Sequence, residues 1–103
     1  MSVMVEFSVL PVGKGVSLST IIARVLKIVS ESGVSYKANP MGTVLEGSWG
    51  EVMSVIQQCH DEVMKGADRA VTTIKIDDRK GTDVRIEKKL ESVERQMGKK
   101  LVR

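Results

Sequence analysis

The chain has 103 residues, with 16 lysines and arginines against 13 aspartates and glutamates, for a net charge of +3 at neutral pH. That length suits one domain around one core. The mild positive excess, gathered late in "RQMGKKLVR", speaks for a solvated basic end rather than a nucleic-acid surface.

Phe7, Tyr36 and Trp49 are the only aromatic residues, so the core must come from Val, Ile, Leu and Met. Cys59 is the only cysteine, which excludes an internal disulfide framework and favours a reducing compartment. No basic-then-apolar leader opens the chain, and no apolar run approaches the roughly twenty residues that span a bilayer. A cytoplasmic protein with no membrane association is expected.

"SVMVEFSVLPVG" alternates, with Val3, Val5, Phe7 and Val9 on one side and Met4, Glu6, Ser8 and Leu10 on the other. Period two with β-branched residues predicts a half-buried strand, ended by Pro11 and Gly13. From Leu18 the period becomes helical: Leu18, Ile21, Ile22, Val25, Leu26 and Val29 share a face. Ser17 or Ser19 can cap its start, and Gly33 suits the position past its end. Two short strands follow, "VSYKANP" and "GTVLEGS", joined as a hairpin by Pro40-Met41-Gly42.

Ser48 and Glu51 have capping-box spacing. The helix they open carries Trp49, Val52, Met53, Ile56, His60, Val63 and Met64 on one face, and Gly66 ends it. "RAVTTIKIDD" alternates again. "RKGTD" then breaks the chain before a third helix from about Asp83 to Leu101, whose apolar stripe (Ile86, Leu90, Val93, Met97, Leu101) is narrow.

The order strand, helix, strand, strand, helix, strand predicts an α+β fold. It is a ferredoxin-like βαββαβ sandwich spanning residues 1–103 as a single domain, with an additional C-terminal helix. Two helices cover one sheet face. The other carries Met4, Leu10 and Val71 beside Glu6, Ser8, Thr73 and Lys75, a mixture suited to stacking on another subunit or holding a small polar ligand. The seam of the last helix also asks for a partner, while contributing little to the protomer itself.

Single chemistry-bearing residues give weak signals. His60 reads as a histidine packed at the edge of the core with one nitrogen met by a neighbour, ahead of a proton-transfer group. Cys59 reads as a small hydrophobe rather than a nucleophile. One histidine and one cysteine, adjacent on a helix, cannot build a tetrahedral metal site. Gly13, Lys14 and Gly15 lack the length and the following Ser or Thr of a phosphate loop, leaving only a weak anion signal at a helix start. The open face has no aromatic platform on which nucleic-acid bases could stack. No nucleophile with its base, and no separated acid pair, can be named, so no enzyme and no cofactor is expected.

At "SVLPVGKGVSLS", "NPMGTVLEGSWGEVMSVIQQCHDEV" and "TTIKIDDRKG" the chain resembles the small thiamine-binding protein family, also known as MTH1187/YkoF-like. The resemblance covers nearly the whole chain. It implies a ferredoxin-like protomer that pairs sheet to sheet and assembles as a homotetramer, a dimer of dimers. It also implies non-catalytic binding of thiamine or a related pyrimidine or thiazole compound.

Such a ligand needs a carboxylate, hydroxyl or amide partners and a soft apolar wall. Asn39, Met41, Thr43 and Glu46 supply those types in or beside the hairpin, and Ser8, Thr73 and Lys75 add hydrogen-bonding groups on neighbouring strands. Two alternatives stay open: Asn39 and Gly42 can serve the turn alone, and Glu46 can pair with Lys37 across the hairpin. The competing function is an oligomeric scaffold or regulatory module with no affinity for thiamine.

Overall fold

The structure is a computed structural model that describes residues 1–13 and 17–103. Its elements in chain order are β1 (Val3–Pro11), α1 (Leu18–Glu31), β2 (Ser35–Asn39), β3 (Gly42–Gly47), α2 (Trp49–Met64), β4 (Ala70–Asp77) and α3 (Ile86–Met97). The four strands form one sheet in the order β2-β3-β1-β4, and every neighbouring pair is antiparallel. This is the ferredoxin-like arrangement with an added C-terminal helix. Lys14 and Gly15, considered above as an anion signal, lie outside the described residues.

Alternation on β1 sends Val3, Val5, Phe7 and Val9 into the core, where they meet Leu45 of β3, Ile21, Val25 and Val29 of α1, and Val52, Val55, Ile56, Cys59 and Val63 of α2. The buried stripe of α1 is narrower than its apolar face. Leu18 and Ile22 stay partly exposed, as do Trp49 and Met64 on α2, so the buried face of α2 centres on Val55 and Cys59 and leaves His60 at its edge. The helix ends follow local chemistry. Ser48 Oγ accepts from the Glu51 N–H, and Glu51 Oε1 accepts from the Ser48 N–H, completing the capping box. Gly33 follows α1 with φ +83°, a left-handed conformation open to glycine at no steric cost.

On the open face the register places side chains in rungs across the sheet. One rung is Ser35, Glu46, Met4 and Asp77; the next is Lys37, Val44, Glu6 and Lys75. This face is not wholly left over. After β4 the chain returns to the start of β1, where the Val84 N–H donates to the Ser2 carbonyl and Asp83 Oδ1 accepts from the Ser2 N–H at 2.6 Å. Helix α3 then begins against the first rung: the Ile86 N–H donates to Glu46 Oε2 at 3.0 Å, and Lys89 Nζ donates to Asp77 Oδ2 at 2.7 Å.

Val84 and Ile86 are buried, whereas Val93 and Met97 are exposed. The start of α3 therefore belongs to the protomer, contrary to the expectation that the whole helix adds little to it. The helix is also shorter than the predicted span. Gly98 adopts φ +68° and stops it, and the N–H groups of Gly98 and Lys99 both return to the Glu94 carbonyl. Leu101 then donates its N–H to Glu94 Oε2 and Arg103 pairs with Glu87 and Glu94, which folds the tail back along the helix.

Candidate functional site

Pairing between β1 and β3 stops at Phe7–Thr43, while pairing between β1 and β4 continues to Pro11–Ala70. The hairpin of β2 and β3 is thus shorter than the strand beside it. The notch left at that end is roofed by the first turns of α1. The result is a cleft of about 340 Å³, whose walls include Leu18, Ile22 and Leu26 of α1, Val9 and Leu10 of β1, and Pro40 and Met41 of the hairpin. Thr43, Asn39 and Ser8 border it as well. Thr43 is only 7% exposed.

A second concavity, about 570 Å³, lies on the open face between the sheet and the start of α3. Met4 and Val44 line it from the sheet, Ile86 and Leu90 from α3, and Glu6, Lys37, Asn39, Lys75, Asp77 and Lys89 supply its polar groups. Glu6 and Lys75, directly opposite in register, form an ion pair at 3.5 Å.

The residues singled out from the sequence therefore divide. Ser8, Thr73 and Lys75 share the open face, with Asn39 on the edge strand beside them. Thr43 faces the helices instead, because it stands three residues from Glu46 and an odd spacing along a strand sends side chains to opposite faces. Met41 stands at the hairpin tip, 92% exposed.

Glu46 is not the cross-strand partner of Lys37. Its carboxylate caps the first turn of α3 through the Ile86 N–H, and the register sets Lys37 opposite Val44. The carboxylate beside the hairpin is Glu6: a methyl group placed on Gly42 would stand 3.5 Å from Glu6 Cγ and 3.7 Å from its Cδ. Sequence reasoning assigned Glu6 to the open face without giving it a role. Carrying the alternation of β1 across the hairpin register would have found it.

His60 Nδ1 lies 2.6 Å from Thr72 Oγ1 at the edge of the core, the satisfied packing anticipated for it. Cys59 is fully buried, its thiol directed at the Val25 carbonyl at 3.7 Å, and burial pushes that thiol from its ordinary 9.0 up to about 11. A group so protonated at neutral pH is a poor nucleophile. No helix among the described residues is long and apolar enough to cross a membrane.

The family model described as "Thiamine-binding protein" matches residues 5–94. The chain belongs to this family. A UPF0045 protein of Methanocaldococcus jannaschii is 35% identical over 91 residues, covering 88% of this chain and 91% of the relative. Its crystal structure superposes with a TM-score of 0.82, over 89% of this chain and 95% of its own. A UPF0045 protein of Bacillus subtilis is 34% identical over 98 residues, covering 89% and 94% of the two chains. A Thermotoga maritima protein, described as a candidate thiamine biosynthesis/salvage protein, shares 27% identity at a TM-score of 0.79, over 90% of this chain and 99% of its own.

Proposed function

We propose that this member of the thiamine-binding protein family holds thiamine, or a related pyrimidine or thiazole compound, in the cleft at the hairpin end, without catalysis. The observation that carries the reading is the cleft itself. Its apolar walls suit a flat heteroaromatic ring, and the Thr43 hydroxyl and the Asn39 amide offer the few directional partners such sites use. Its volume of about 340 Å³ falls within the range of roughly 300–1,000 Å³ typical of small-molecule pockets.

The working unit in this reading is a homo-oligomer, a tetramer made of two sheet-stacked dimers. Leu10 and Val71, opposite each other in register, stand 45% and 46% exposed on the open face, and Val93 and Met97 are 46% and 52% exposed on α3. Burying those groups against a second copy removes them from water. Met4, also expected in that interface, already lines the groove under α3.

Thermal unfolding with and without millimolar thiamine tests the binding, because a ligand specific for the folded state raises the unfolding temperature. Thr43→Val keeps the shape and removes the hydroxyl, so its affinity should fall several-fold in calorimetry. No stabilisation by thiamine would favour a scaffold role instead. Light scattering after size exclusion tests the assembly: Val71→Lys should disperse it, and a monomeric parent protein would end that part of the proposal.

A further inference from the structure

The groove under α3 has a chemistry unlike that of the cleft. Three ammonium groups, Lys37, Lys75 and Lys89, border it, with two carboxylates, Glu6 and Asp77. Both carboxylates are engaged, Glu6 by Lys75 at 3.5 Å and Asp77 by Lys89 at 2.7 Å. Lys37 is the remaining cation: it is half-buried, and among the described residues no carboxylate lies within ion-pair distance of it. The Glu6–Lys75 pair is long, and the Lys75 side chain is 81% exposed. Such a contact holds its lysine weakly, leaving that ammonium able to turn to an incoming anion.

Between these charges the groove is apolar. Met4 and Val44 line it from the sheet, and Ile86 and Leu90 line it from α3. A slot walled this way accepts a flat or short hydrocarbon group, which on entering displaces water beside the half-buried Lys37. Lower local polarity strengthens the attraction between an ammonium and an anion. Lys37, Val44, Glu6 and Lys75 form one rung, so the two lysines flank the sheet residues of the slot.

We propose that this groove is a second ligand site, which shares only Asn39 with the lining of the cleft and takes a small amphipathic anion. The apolar part enters between Val44 and Leu90. A phosphate or carboxylate meets Lys37 and Lys75, and Asn39 offers its amide at the rim. Neither half suffices alone: a bare anion leaves the slot unfilled, and an uncharged ring leaves Lys37 without a partner.

The test is a titration of the full-length protein, followed by amide chemical shifts and by calorimetry. The probes are phenyl phosphate, benzoate, inorganic phosphate and benzyl alcohol. Phenyl phosphate should shift the amides of Lys37, Val44, Lys75, Lys89 and Leu90, and should bind at least about tenfold more tightly than inorganic phosphate or benzyl alcohol. Benzoate distinguishes a need for phosphate from a need for any anion: binding close to that of phenyl phosphate supports the shared site, and weaker binding supports a phosphate-selective one.

Lys37→Met should weaken phenyl phosphate by about tenfold or more, with circular dichroism unchanged, and Lys37→Arg should retain most of the affinity. The proposal is overturned if millimolar phenyl phosphate leaves the groove amides unmoved, if the shifts fall only in the basic C-terminal tail, or if Lys37→Met binds as tightly as the parent.

Discussion

Adjacent residues of β3 meet opposite environments: Leu45, on the helix-covered face of the sheet, is fully shielded from water, while Val44, on the other face, is only half-buried. The helix side is closed by aliphatic contact from three directions, and its few polar groups are satisfied locally, as His60 is by Thr72. The open side is closed over one rung only, by a helix start that the sheet holds through carboxylates, Glu46 to the Ile86 N–H and Asp77 to Lys89. The contrast separates what makes the fold from what the fold presents. Stability resides where side chains exclude water, and recognition is available where charge and apolar surface remain mixed.

The largest test of that division is a pair of truncations. Leu45→Ala should cost about 2–5 kcal/mol in urea denaturation, the range for a leucine deleted from a closed core. Val44→Ala, one residue away, should cost about 1 kcal/mol or less, because its side chain is already half in solvent. Comparable losses at the two positions would mean that the open face is as tightly packed as the core, and the contrast would fail.

Alkaline pH, compared between the parent and Cys59→Ala, probes the helix side. The folded Cys59 thiol titrates near 11, raised by burial above its ordinary 9.0. Below about pH 9 both folded and unfolded chains keep the proton and the contribution is fully present. Between 9 and 11 only the unfolded chain releases it, so stability falls as pH rises through that window. The slope approaches about 1.4 kcal/mol per pH unit at most. Cys59→Ala should flatten the decline between pH 9 and 11, measured by denaturant midpoints. An unchanged slope would assign the alkaline loss to groups elsewhere.

Glu46→Gln probes the open side. The amide retains an acceptor for the Ile86 N–H but loses the charge, so the helix start should loosen by about 1 kcal/mol, the typical scale of a helix cap. Hydrogen exchange should quicken from Ile86 to Leu90 while the amides of β1 and β3 keep their protection. Faster exchange throughout the sheet would show that α3 is part of the cooperative core.

Most of the architecture was legible in the sequence because it is written in local terms. Alternation at Val3 to Val9, helical spacing at Ile21 to Val29, Pro40 in a tight turn and the Ser48–Glu51 box each specify their own element within a few residues. What was not legible depends on lengths and returns. The cleft depends on the register that sets Thr43, next to the turn, opposite Phe7 while β1 runs on to Pro11, and no residue type announces that register. The role of Glu46 depends on residues 83–86 coming back across the sheet, a contact 40 positions away in sequence. The face that Thr43 takes follows from its odd spacing to Glu46 within β3.

The smallest effect expected concerns Glu6 and Lys75, the open-face pair on β1 and the edge strand β4 in the second rung. Their side chains are 48% and 81% exposed and separated by 3.5 Å, so water screens them and each keeps rotamer freedom that tight pairing would remove. A double-mutant cycle with Glu6→Gln and Lys75→Met should give a coupling of about 0.2–1 kcal/mol, falling as salt is raised. The cycle is best measured in the Val71→Lys background, where the proposed sheet stacking would be disfavoured and the pair faces solvent. A coupling of several kcal/mol there, insensitive to salt, would mean that water is excluded from the rung even in the dispersed chain. The open face would then be closed like the helix-covered one, leaving no solvated pair from which Lys75 could turn to an anion.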